Sequence, residues 1–361
     1  MPKELVVEPA RQERGRESAP GGDLRKFLKR LSIFVAPFLV YAAVIVLVDP
    51  YNLFNVSPLI PDQVKKPISN LNYPLWKMSE FRRRPMPNVL LGDSRMGAIR
   101  AERVSQVAGE DYYNFAYGGA TLQEIVHTFW FADSLTRLRN VYIGINFNLY
   151  NALERGDRTE DYSSIARNPL RYFVHPSVLE ATWYDIGAVL GANVKIGVPN
   201  MTRDRFWRHQ LEVTARQMYR RYEYPEKDWR ELGRIADHCR SRGIRVAFII
   251  FPTHTDLQAR VADFGLQAEQ EHFRRDLTNL APTFDYDFPN HVTQNQENFK
   301  DPFHFREEIM ELLVQDVWGG KCVLPRRRPD DEHAIVSGES AVPRSSAPEQ
   351  VSGKSPVSRF P

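Results

Sequence analysis

Four short segments of this chain carry the residue types of acyl-transfer chemistry. The first is Gly92-Asp93-Ser94, directly after the apolar run Asn88–Gly92. A serine on the turn from a parallel strand into a helix projects its hydroxyl from the C-terminal edge of the sheet, where open α/β folds hold their ligands. Its own N–H can then meet an oxyanion formed there. The same residues would also serve as an ordinary turn and N-cap. The last segment is Asp301-Pro302-Phe303-His304. An imidazole can take a serine proton while a carboxylate fixes its tautomer, and Asp301 and His304 stand three residues apart, close enough for that division of labour. Alone, such a pair is equally a cap or loop feature.

The two middle segments offer hydrogen-bond donors. Asn114 to Thr121 (NFAYGGAT) puts Gly118 and Gly119 just beyond a second apolar run, where glycines let a backbone N–H approach a ligand. Gly144-Ile145-Asn146-Phe147-Asn148 closes a third run, and the Asn146 amide could donate to an oxyanion or simply satisfy a loop. His254, after a later run, is the rival catalytic histidine, but it lacks the Asp-x-x-His spacing. That spacing recurs at Asp330 and His333, in a tail of disorder-prone composition.

The elements that must position these groups alternate in type. Asn88–Gly92, Tyr112–Tyr117, Asn140–Asn146 and Ile244–Phe251 read as strands separated by segments of helical length. Trp229, Leu232, Ala236 and Cys239 recur at helical spacing, and Gly243 follows as a C-terminal cap. Near-continuous apolar strands with helices between them predict a parallel sheet covered on both faces, a three-layer α/β sandwich of flavodoxin-like type. This domain is expected over 86–323, with a mainly helical insertion at about 150–226 that is rich in Arg, Tyr and Trp. Arg82 to Arg84, and Arg216, Arg220 and Arg221 interleaved with Trp207, Tyr219, Tyr222 and Tyr224, read as solvated faces and insertion core or as a glycan surface.

Before the domain, residues 1–23 have the composition of a disordered cytoplasmic segment, 24–50 read as a membrane anchor and 51–85 as a linker; after it, 324–361 read as a disordered tail. The anchor rests on Leu31 to Val48, 18 residues without a formal charge. As a helix that run extends about 27 Å, close to the hydrocarbon thickness of a bilayer. Arg25, Lys26, Lys29 and Arg30 precede it, which puts the N-terminus in the cytoplasm and the rest of the chain outside. No small-x-small site follows, so the segment reads as a retained signal anchor.

Composition excludes other classes. The 361 residues carry 48 Lys+Arg against 45 Asp+Glu, a net charge of +3, so nothing suggests a nucleic-acid partner. Two cysteines, Cys239 and Cys322, give no disulfide framework, and no His/Cys cluster has metal-ligand spacing. No phosphate loop, dinucleotide fingerprint or His-Glu-x-x-His motif is present, and no cofactor is expected.

Taken together, the four segments resemble the blocks of the SGNH (GDSL-type) hydrolase superfamily in type and order, over about residues 86–318 with the insertion unmatched. The resemblance implies Ser94 as nucleophile, His304 as general base and Asp301 as its partner. It implies an oxyanion hole made of the Ser94 and Gly119 N–H groups and the Asn146 side chain. Arg95 departs from the Leu usual after the serine, and Phe147 from the Asp common after the asparagine. With the anchor, the layout looks like membrane-tethered members that move acyl groups on or off envelope polysaccharides. That implies a periplasmic domain tethered to the inner membrane, acting as esterase or O-acyltransferase on an acylated glycan, with a multi-span membrane acyltransferase as partner and lipid around the anchor. The alternative is a non-catalytic assembly subunit that binds glycan.

Overall fold

The computed structural model describes residues 20–56, 59–192 and 201–327. The chain divides into two units, one formed by residues up to Pro85 together with Asp157–Asn200, the other by Met86–Gly156 and Met201 onward.

The second unit is built on five parallel strands: β1 (Asn88–Gly92), β2 (Tyr113–Asn114), β3 (Asn140–Gly144), β4 (Arg245–Ile250) and β5 (Thr283–Asp285), in the spatial order β2-β1-β3-β4-β5. β1 is buried along its whole length, as its unbroken apolar sequence requires of a central strand covered on both faces. Helices Leu122–Leu135, Glu226–Arg242 and Gln267–Leu280 form one packed series, and helices Ala101–Ala108 and Glu307–Val317 pack together. The chain steps one way along the sheet from β1 to β2 and the other way from β2 onward. Right-handed crossovers therefore put the two helix groups on opposite faces, giving the three-layer sandwich. A separate antiparallel pair, β6 (Phe299–Asp301) and β7 (His304–Phe305), follows the sheet.

Glycine is required where β1 meets β3. Gly92 has φ +155°, and a Cβ there would stand 2.7 Å from Met96 Cβ and 2.9 Å from the Gly144 carbonyl oxygen. Gly144 lies opposite it in the ladder, and a Cβ on Gly144 would meet the Phe251 ring at 2.5 Å. The two glycines let the ends of β1 and β3 close together beneath the turn that carries Ser94.

The first unit departs from the reading of 51–85 as a linker. Helices Asp62–Lys65 and Tyr73–Arg83 form there, and Leu75, Trp76, Met78 and Phe81 are buried. The insertion also divides. Its helices Thr159–Arg167 and Pro176–Val189 belong to the first unit, whereas Arg203–Tyr219 belongs to the second. Which unit each part joins depends on packing rather than on its position in sequence. The N-terminal helix runs from Pro20 to Val48 and is apolar and long enough over Leu24–Val48 to cross a membrane.

At the C-terminal end, Arg327 bridges to Asp285 beside β5 and pairs with Glu271 at 2.8 Å, so order extends at least that far into the stretch read as tail. Residues 1–19 and 328–361, including Asp330 and His333, lie outside the described residues.

Candidate active site

Ser94 stands at the C-terminal end of β1, the strand flanked by β2 and β3, where the direction of the chain along the sheet reverses. Asp93 caps the turn, its Oδ1 accepting the Arg95 N–H at 2.9 Å. That cap holds Ser94 as the first residue of a short helix, with its hydroxyl off the sheet edge.

Asp301 and His304 face each other across the two-residue turn between β6 and β7. The Asp301 carboxylate accepts the Phe303 and His304 N–H groups at 2.9 and 3.2 Å, and through its two oxygens it lies 2.9 and 2.8 Å from His304 Nδ1. The backbone contacts fix the carboxylate before it meets the ring. With Nδ1 protonated toward Asp301, Nε2 is left as the acceptor, and Ser94 Oγ stands 2.7 Å from it. Asp301 is buried and His304 half-buried. The structure thus brings the three residues into one hydrogen-bonded chain across 210 positions of sequence.

Ser94 and His304 open onto a cavity of about 260 Å³. Gly119 lines it, held at φ +61°, a left-handed conformation natural to glycine. Apolar wall comes from Ala120, Leu149, Met218 and Phe303. Gln210, Thr214 and Met218, at i, i+4 and i+8 on one face of the helical segment 203–219, line one side of the cavity, and that segment contains a π-helical turn at Gln210–Thr214. Such turns are often found at functional sites. Glu154 stands at the rim, and burial raises its carboxyl above the usual range.

Asn146 does not reach this cavity. Its Nδ2 donates to the Phe251 carbonyl at 2.7 Å and its Oδ1 accepts the Phe251 N–H at 3.2 Å, so the side chain ties the end of β3 to the end of β4. The amide expected to meet an oxyanion is spent on the scaffold. Asn148, two residues on, lines the cavity instead. Arg95 Nη2 donates to Asn148 Oδ1 at 2.8 Å, which leaves Nδ2 as the end of the amide available to a ligand. Arg95 is buried and ion-paired with Asp93, its Nε lying 3.0 Å from Oδ2. The second asparagine and the arginine in place of leucine were the available sequence signals, and only the fold distinguishes Asn148 from Asn146.

His254 does not line this cavity either, although its N–H donates to the Pro302 carbonyl in the turn between Asp301 and His304 at 3.0 Å. It is buried as the N-cap of helix Thr255–Asp263, its Nδ1 accepting the Asp256 N–H at 3.1 Å, and it packs edge-on against Trp207. Trp207 and Tyr219 are buried, and Tyr219 stacks on Phe147, so these aromatics serve as core. Among the described residues no group of His, Cys, Asp and Glu is placed to hold a metal ion.

Neither a protein-family profile nor a curated protein matches the sequence. Among solved structures, the chain is similar to a protein described as an acylhydrolase from Bacteroides fragilis, at 14% identity and TM-score 0.36 over 67% of this chain and 93% of that one. It is also similar to a GDSL-like lipase from Bacteroides thetaiotaomicron, at 12% identity and TM-score 0.37 over 70% and 98% of the two chains. A lipase/acylhydrolase from Enterococcus faecalis matches at 13% identity and TM-score 0.33, over 66% and 97%.

Proposed function

We propose that this protein is an SGNH-type serine acyl esterase or O-acyltransferase, tethered to the inner membrane and acting on acylated glycans of the cell envelope through an acyl-serine intermediate. The observation that carries the chemistry is the chain Ser94 Oγ to His304 Nε2 at 2.7 Å and His304 Nδ1 to Asp301 at 2.8 Å. A free serine is a weak nucleophile, and an adjacent oriented imidazole is what activates it.

In this reading Ser94 Oγ attacks the carbonyl carbon of the acyl ester while its proton passes to His304 Nε2. The oxyanion is met by the Ser94 and Gly119 N–H groups and, in place of Asn146, by Asn148 Nδ2. Collapse breaks the bond to the leaving alkoxide, which takes the proton from His304 and departs as the alcohol, leaving the acyl group on Ser94. Water or a glycan hydroxyl then gives its proton to His304 and attacks the same carbonyl; the acyl–Oγ bond breaks and Ser94 Oγ takes that proton back from His304. Hydrolysis and transfer differ only in that second nucleophile. The glycan and envelope parts of the proposal rest on the apolar N-terminal helix with basic residues before it, joined to a domain whose cavity admits a small acyl group.

A serine-directed fluorophosphonate tests the chemistry on the full chain in detergent. Labelling is expected in the wild type and is expected to vanish in Ser94→Ala. Labelling that survives Ser94→Ala would overturn the assignment, and a wild type that neither labels nor cleaves an aryl acetate would leave a glycan-binding subunit as the better reading.

A further inference from the structure

The first unit contains a surface whose depth relative to the N-terminal helix can be read from the structure. The basic residues of that helix end at Arg30, and Leu31 opens its uncharged stretch. A hydrocarbon core about 30 Å thick takes about 20 helical residues to cross. A span beginning at Leu31 is therefore still near the outer hydrocarbon boundary where the helix ends, at Val48. Tyr41 lies about 10 Å of helix before that end, and its hydroxyl donates to the carbonyl of Phe173. Phe173 belongs to the 3-10 turn Pro169–Val174, which leads into helix Pro176–Val189, and that helix packs against the N-terminal one. The turn is thereby held beside the outer part of the span, with Phe173 at the Tyr41 level and Tyr172 reaching the helix end through its hydroxyl on Asp49.

The side chains that the turn and helix expose suit that level. Leu170 and Val174 are 73% and 69% exposed, and Trp183 and Leu190 are 74% and 81% exposed. At 100° per residue, Leu179, Trp183, Ile186 and Leu190 form one narrow stripe, opposite the buried Val178, Ala181 and Asp185. Glu180 falls outside it, and Arg167 and Arg171 are exposed beside Leu170, where long basic side chains can reach lipid phosphates. Contiguous large apolar residues left this bare mark an interaction surface.

The polar groups at the helix end are internally satisfied, as lipid proximity demands. The buried Asp49 carboxylate accepts the N–H groups of Leu53, Phe54 and Asn55 at 2.9, 2.9 and 2.7 Å and the Tyr172 hydroxyl at 2.9 Å. Lys65 Nζ donates to the Asp49 carbonyl at 3.0 Å and to Asn52 Oδ1 at 2.8 Å.

We propose that residues 169–190 form a second, monotopic membrane contact, with the Leu179–Trp183–Leu190 stripe and Leu170 and Val174 seated in the outer headgroup and acyl boundary of the bilayer that the N-terminal helix crosses. The proposal rests on the reading of that helix as an anchor, and its occupant is lipid. It gives the first unit two attachments to the bilayer, which restrict its tilt as one flexible anchor cannot.

The test uses the full chain reconstituted in phosphatidylethanolamine/phosphatidylglycerol vesicles, with and without bromine on the acyl chains. Bromolipid is expected to quench a component of the tryptophan emission that disappears in Trp183→Phe. A nitroxide on Leu170→Cys, in the Cys322→Ala background where Cys239 is buried, is expected to relax more with oxygen than with an aqueous nickel complex. A protein that floats with the vesicles while Trp183 is quenched by aqueous acrylamide and not by bromolipid overturns the second contact and leaves the anchor standing; so does a Trp183 shielded from both quenchers, which would point to a protein partner. A protein that does not float overturns the anchor and this proposal with it.

Discussion

Arg95 donates through Nη2 to Asn148 Oδ1 at 2.8 Å, and this contact sets which end of the Asn148 amide faces the cavity lined by Ser94 and His304. Reversing the amide would set an NH₂ group against a guanidinium, two donors with no acceptor between them. Asp93, at the N-cap beside Ser94, balances the buried arginine. In the proposed mechanism Arg95 therefore acts as a positioning residue that orients the Asn148 amide.

Asn148→Ala is expected to lower kcat on p-nitrophenyl acetate by about 10²–10³, the usual cost of one oxyanion donor, with some loss of melting temperature because buried Arg95 loses an acceptor. Asn146→Ala is expected to lower the melting temperature, because the Phe251 N–H and carbonyl lose their partner, without the loss of an oxyanion donor. If Arg95 works through Asn148, Arg95→Lys should lower kcat in the wild type and add little in the Asn148→Ala background. Additive losses would show that the two residues act separately.

Replacing His304 by Ala is expected to remove turnover almost as completely as Ser94→Ala, because serine and base act as one unit. The double variant should lose no more than either single one. Steady-state rates on the aryl acetate, with circular dichroism to check folding, measure this.

If the acyl group of the proposed reaction lies in this cavity of about 260 Å³, the Leu149, Met218 and Phe303 walls restrict its length. Acetyl and propionyl esters are expected to turn over faster than octanoyl esters, and Met218→Ala to shift that preference toward longer chains. A wild-type enzyme indifferent to chain length would argue that the acyl group lies elsewhere.

Gly92→Ala is expected to destabilise the fold by about 1–3 kcal/mol, the range for overpacking and for a strained backbone. The new Cβ has no room against Met96 and the Gly144 carbonyl, and φ is +155°. Urea unfolding followed by tryptophan fluorescence measures the loss.

Asp185 is buried, its carboxylate oxygens have no hydrogen-bond partner among the described residues, and burial raises its pKa to about 7 despite the opposing charge of Lys65. Between the ordinary carboxyl value of 3.8 and about 7 the folded chain holds a proton that the unfolded chain has released. Stability from this group is therefore present below that window and falls as pH rises through it. Asp185→Asn should flatten this dependence, with a melting-temperature gain at pH 8 that shrinks toward pH 4.

The local parts of this protein were legible in its sequence because they depend on neighbours along the chain. Asn88–Gly92 reads as a buried strand from its unbroken apolar run, and β1 occupies those residues. Asp301 and His304 read as a pair because a two-residue turn needs only their spacing. Leu31 to Val48 reads as a span from hydropathy alone, and the helix there is apolar enough to cross a membrane. β2 is shorter than Tyr112–Tyr117 suggested, and β5 has only three residues, too few to show a period. Which asparagine faces the cavity depends on Phe251, 105 residues away from Asn146, and on Arg95, 53 residues from Asn148. Residues 51–85 and 157–192 belong to one small unit although residues 86–156 separate them in sequence, so neither segment alone shows that it has a partner. Composition and spacing determined which groups could react; the tertiary structure decided which of them meet, because hydrogen bonds between distant segments form only once the sheet has set their positions.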